Sequence, residues 1–156
     1  MKKLCLPLVG LLVAALLGMA YLFVWRGAVL PASDGRTAIL LDAGERDLVL
    51  AEMRAFLEAV QQISGAVAAD DIPAIRESAR RVGAAAQQAV PATLVGKLPI
   101  EFKTLGFDTH QRFDRLALDA AELGDKTVAL RQLSELMLNC VGCHAAYRID
   151  TPANGR

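Results

Sequence analysis

From Leu4 to Trp25 the chain carries no charged residue across 22 positions. As a helix this run spans about 33 Å, enough for the hydrocarbon of a bilayer. Lys2 and Lys3 precede it, and Tyr21 and Trp25 sit near its far end, where aromatic side chains favour the membrane interface. Its length favours an uncleaved transmembrane signal anchor over residues 1–26. A cleaved signal peptide is the competing reading, with Pro31-Ala32-Ser33 as the available processing site. Both readings keep the lysines in the cytoplasm and export the remainder. Residues 27–41 hold Pro31, Ser33 and Gly35 without a sustained period, the pattern of a linker.

Four helical stripes follow over 42–150, with a tail at 151–156. The first starts at Asp42, with Glu45 at the capping-box spacing, and places Val49, Met53, Phe56, Val60, Ile63 and Val67 on one face. Asp70-Asp71-Ile72-Pro73 ends it and opens a second helix carrying Ile75, Ala79, Val82 and Ala86, which stops before Pro91. The third carries Phe113, Leu116, Ala120 and Leu123; Pro99 is a candidate opener, but Gly106 falls early, so its continuous part is expected from about Asp108. Gly124-Asp125 closes it and caps the fourth, with Leu130, Leu133, Met137, Cys140 and His144 on one stripe. Short loops, amphipathic helices and no strand signal predict an all-α antiparallel four-helix bundle behind a single transmembrane helix.

Composition agrees with helix. Alanine, leucine, glutamate and arginine dominate beyond the apolar run, while β-branched and aromatic residues are sparse. Seventeen basic against seventeen acidic residues leave no electrostatic footprint for nucleic acid.

The chemistry lies in Cys140-Val141-Gly142-Cys143-His144. The spacing C-x-x-C-H is that of covalent haem c attachment, two thiols adding across the porphyrin vinyl groups and the adjacent histidine reaching the iron. A zinc ribbon wants a second ligand pair, and the only other cysteine, Cys5, lies in the apolar run. A thioredoxin-type dithiol wants a βαβ setting, which this helical stripe does not offer. Cys140, Cys143 and His144 fall on one helix face, along which a planar macrocycle can lie.

The longer run Cys140-Val141-Gly142-Cys143-His144-Ala145-Ala146-Tyr147-Arg148 matches C-x-x-C-H-x-x-[YF]-R on a last helix. With the four-helix layout, it makes residues 42–150 resemble the cytochrome c′ family, the four-helix-bundle c-type cytochromes. The resemblance implies one haem c on Cys140 and Cys143, His144 as proximal iron ligand, and Arg148 beside that histidine. It also implies a residue of the first helix over the opposite haem face. Counting back from Ala69-Asp70, that place falls on Met53, which would bind iron in the electron-transferring members. Ordinary packing is the alternative for Met53, since most helical methionines pack. His110, the only other histidine, is the competing sixth ligand, or else packs on the porphyrin or bonds a propionate. Family members often carry an arginine one turn before the distal residue. Val49 stands there here, and Arg46 and Arg54 are expected on other faces, which leaves propionate pairing unassigned.

The expected function is single-electron transfer by a membrane-tethered cytochrome on the periplasmic side of the bacterial inner membrane. Its redox partner is expected to be a membrane oxidoreductase, and the family implies a possible homodimer. The rival is a five-coordinate gas-binding cytochrome, with Met53 packed rather than bonded. No nucleophile–base constellation or second metal site is found, so no enzyme activity of its own is expected.

Overall fold

A computed structural model describes residues 2–152. Met1, residues 153–156 and the side chains of residues 2–6 and 89, including Lys2, Lys3 and Cys5, lie outside it. Helix α1 (Lys2–Ala20) continues as a π-helical turn, Tyr21–Arg26. Within them Pro7–Arg26 has mean hydropathy 2.4 and is unburied, so one helix is long and apolar enough to cross a membrane. A signal sequence satisfies the same test.

Residues 27–41 do not form the expected linker. They fold into strands β1 (Val29–Pro31) and β2 (Thr37–Leu40), antiparallel with Val29 opposite Ile39. The turn closes through Asp34, whose carboxylate accepts the Arg36 backbone N–H and guanidinium. These hydrogen bonds hold Asp34 at about pKa 2, the Arg36 side chain being the largest influence. Strand β3 (Tyr147–Asp150) pairs with β2 in parallel, Thr37 opposite Tyr147 and Leu40 opposite Asp150. The all-α expectation is therefore corrected: a mostly helical chain carries a three-stranded sheet, β1-β2-β3. The strands are only three or four residues long, and β2 meets β3 across more than 100 residues of intervening chain. Periodicity has little to register in such short segments.

Between β2 and β3 run α2 (Ala43–Ala69), α3 (Ile72–Arg81), a 3₁₀ turn (Ala84–Ala89), α4 (Ala92–Lys97), α5 (Ile100–Leu123) and α6 (Lys126–Ala146). The second helical stripe is thus interrupted at Val82, and a short extra helix precedes α5. Helix α5 runs unbroken through Gly106, because its neighbours pack the helix on both sides of that residue and outweigh the propensity cost of about 1 kcal/mol. The capping signals read as expected. Glu45 accepts the Asp42 backbone N–H at 3.0 Å, Asp71 accepts from Ala74 at 3.0 Å, and Asp125 accepts from Thr127 at 2.7 Å. Asp70 and Gly124 take the left-handed conformation that ends α2 and α5.

Helices α2, α3, α5 and α6 pack in a ring, α2 against α3 and α6, α5 against α3 and α6. Phe56, Ile63, Ile75, Ala79, Phe113, Leu116, Leu133 and Leu136 fill its centre. A second cluster of Ile39, Leu41, Val49, Leu94 and Leu98 joins the sheet and α4 to the start of α2. Met53 touches both clusters. Phe113 is fully buried and stacks on Phe56 at 5.5 Å. Phe113→Ala is expected to lower stability by about 3–5 kcal/mol, read as a drop in the urea midpoint; an unchanged midpoint would refute this core.

Candidate haem-binding site

Helix α6 places Cys140, Cys143 and His144 in its last two turns, just before β3. The helix is held from both sides there. Asn139 donates to Asp108 at 2.8 Å and to Thr109 at 3.2 Å, fixing α6 on α5 one residue before the first thiol. The Asn139 and Arg112 hydrogen bonds, Asn139 foremost, lower the pKa of Asp108, so it stays an ionised acceptor. At the C-terminus, the Arg36 guanidinium from the β1–β2 turn approaches the carbonyls of His144 and Tyr147, each at 3.4 Å. A fixed cation there complements the helix dipole.

Two adjoining cavities of about 460 Å³ and 200 Å³ border this face. Cofactor sites commonly occupy roughly 300–1,000 Å³. Cys143, His144 and Met53 border both, and Cys140 borders the larger. The structure thus brings together all four residues singled out in the sequence, although Met53 and Cys143 lie 90 positions apart. Phe56, Val60, Leu105 and Met137 give the larger cavity an apolar wall. Thr109 and Glu52 add polar groups. Met137 therefore reaches the cavity side wall, as its position on the stripe suggests.

Burial raises the pKa of both thiols. The Cys143 thiol goes up to about 11, with the neighbouring Cys140 adding to the effect. Redox-active C-x-x-C pairs depend on a lowered pKa, and burial acts in the other direction here. Among the described residues no group of three or more His, Cys, Asp and Glu is placed to hold a metal ion. An iron whose four equatorial donors come from a porphyrin asks the protein for only one or two ligands. The donor set and the cavities fit that requirement.

His110 stands apart from the site. It is buried at 1 % exposure and lines neither cavity. Its Nδ1 lies 2.8 Å from the Val82 carbonyl and its Nε2 lies 3.1 Å from Glu52 Oε1. Both partners can accept, so the protonated ring makes two hydrogen bonds here. Burial opposes that charge most strongly, but the hydrogen bonds from Glu52 and Val82 and the Glu52 charge together raise its pKa above the ordinary 6.5. A histidine tied at both nitrogens has no lone pair for iron. A raised folded pKa contributes stability that is complete below about 6.5 and lost as pH rises through the elevated value. Glu52→Gln is expected to flatten this decline in urea midpoints measured between pH 6 and 9; an unaltered slope would refute the pairing.

Four further residues border the site, and the sequence marked them weakly or not at all. Arg46, expected on another face, borders the smaller cavity together with Arg36 and Arg148. Arg148, expected beside His144, borders the smaller cavity with it from β3, paired with Asp150 at 2.9 Å and Asp34 at 3.3 Å. Of the three cations, Arg46 has the weakest partner, Asp47 at 3.9 Å. Arg36 lay in the supposed linker and gave no signal. Phe102, which borders both cavities and meets Tyr147 edge-on at 5.5 Å, lay before the expected start of its helix. Comparison of the chain with protein-family models, with curated proteins and with solved structures finds no match.

Proposed function

We propose that this chain is a monohaem c-type cytochrome built on a four-helix bundle of the cytochrome c′ kind. It is anchored in the bacterial inner membrane with the haem domain on the periplasmic side, and it passes single electrons to or from a membrane oxidoreductase. One observation carries the reading: the C-x-x-C-H face of α6 borders apolar cavities of cofactor size that Met53 of α2 also lines. Bound haem supplies a one-electron iron couple.

The chain's residues have separate tasks. Cys140 and Cys143 would provide the two thioether attachments, and His144 would ligate the iron. Met53 would offer its sulfur as a second iron ligand, a donor that favours ferrous iron and raises the potential relative to a second histidine. Val60, Leu105 and Met137 give the site an apolar wall, and an apolar environment limits solvent reorganisation when the charge changes. Arg46, weakly paired and facing the smaller cavity, suits a carboxylate such as a haem propionate. The helix suited to a membrane gives the anchor, and the lysines before it set its orientation.

The test is expression of the full chain in a bacterium that matures c-type cytochromes, followed by haem staining after denaturing electrophoresis. Stain on the polypeptide supports the reading, and its absence from a folded, exported chain overturns it.

A further inference from the structure

The apolar helix ends on the folded domain instead of trailing from it. The Lys103 ammonium, on a side chain only 8 % exposed, donates to the carbonyls of Val24 at 2.8 Å and Phe23 at 3.4 Å. It thereby satisfies carbonyls at the end of the π-helical turn, where a helix leaves such groups without partners. Next, the chain turns at Gly27, with φ +67°. A Cβ there would lie 2.5 Å from the Lys97 carbonyl oxygen and 2.7 Å from Leu98 and Pro99 backbone atoms, so only glycine admits this approach. Ala28 then donates to the Lys97 carbonyl at 2.7 Å, and Leu40 donates to that of Ala28 at 2.8 Å. Phe23 lies against Gly96, 3.4 Å from where a Cβ would stand. A cleavable leader or a flexible tether needs none of these contacts.

The junction also has a definite place in the fold. It engages α4 and the first turn of α5. Phe102, adjacent to Lys103, lines both cavities. The opposite end holds the α2–α3 and α5–α6 turns, bridged by Lys126 and Asp70 at 3.2 Å. The candidate site and the apolar helix therefore share one end of the helical body.

We propose that the N-terminal helix is a retained, rigidly docked part of the protein and that it holds the cavity end of the helical body against a lipid surface, with Lys103 as the clamp. The inference rests on the membrane reading above and is independent of the cofactor.

The test uses the full chain in phosphatidylcholine nanodiscs. Intact mass is expected to show residues 1–26 still present; their removal from the mature chain overturns the proposal together with the anchor reading. Hydrogen exchange over residues 27–41 is expected to be about a hundredfold slower than in unstructured chain. Exchange there at the unstructured rate overturns the docking and leaves the anchor intact. Lys103→Met is expected to speed exchange in residues 21–28 about tenfold, the effect of losing a hydrogen bond to a charged donor. No change would remove Lys103 as the clamp. Photoreactive benzoylphenylalanine, placed at exposed Thr104 or Glu122 with Lys103 unchanged, reads the orientation. These positions lie about 27 Å apart along α5. Phospholipid adducts from Thr104 alone support the placement, whereas equal adducts from both positions overturn it.

Discussion

Met53→Leu is expected to convert low-spin ferric haem into high-spin haem and to open the ferrous form to carbon monoxide. The thioether is the only group in the substitution that can bind iron, so the sixth position is lost while the side-chain volume is nearly kept. Exchanges between leucine and methionine typically cost less than about 1.5 kcal/mol, so the fold should survive even though Met53 packs between the two apolar clusters. The reduction potential should fall as well, since the sulfur that favours ferrous iron is gone. Optical and EPR spectra of the purified protein decide the matter. A parent protein that is already high-spin and binds carbon monoxide would instead make this the five-coordinate, gas-binding kind of cytochrome. A low-spin parent unchanged by the substitution would take Met53 off the iron. His110 would then have to abandon both the Val82 carbonyl and Glu52 to replace it.

Cys140→Ala with Cys143→Ala is expected to abolish covalent haem altogether. In the proposed attachment each thiol would supply one thioether, and among the described residues no other free cysteine is present. Either single variant should retain haem through one bond, with stain on denaturing gels weakened but present. The double variant should lose it completely, while far-ultraviolet circular dichroism remains helical, because both side chains are half-buried at the cavity edge and neither belongs to the apolar core. Stain persisting in the double variant would show that attachment does not occur at this motif.

The helical part of the fold was readable because its signals are local. Val49, Phe56 and Ile63 repeat at helical spacing, Asp42 and Asp71 cap their helices, and Gly124 ends α5, each within one or two turns. Gly106 misled the reading of α5, since propensity near 1 kcal/mol is small beside the packing of a long amphipathic helix. The buried charges had a faint mark in the sequence. Lys103 and His110 stand seven apart on the line that continues to Ala117, so both fall on the buried stripe of α5. A cation on such a stripe announces a partner without naming it: Lys103 found the end of the membrane-type helix, and His110 found Glu52.

From sequence alone came the C-x-x-C-H motif and the apolar helix long enough for a bilayer, both of which depend on residues close together in the chain, while Met53 was singled out by the register that the family resemblance implies. Tertiary structure alone decided that Thr37–Leu40 pair with Tyr147–Asp150, that Arg36 and Arg46 join Arg148 at the smaller cavity, and that His110 is occupied elsewhere. It also decided that Lys103 fastens the apolar helix to the cavity end of the domain. The reason is the range of the forces involved. A strand of four residues, an ion pair and a capped carbonyl each depend on a partner brought from dozens of positions away, and only packing of the whole chain determines which partner arrives.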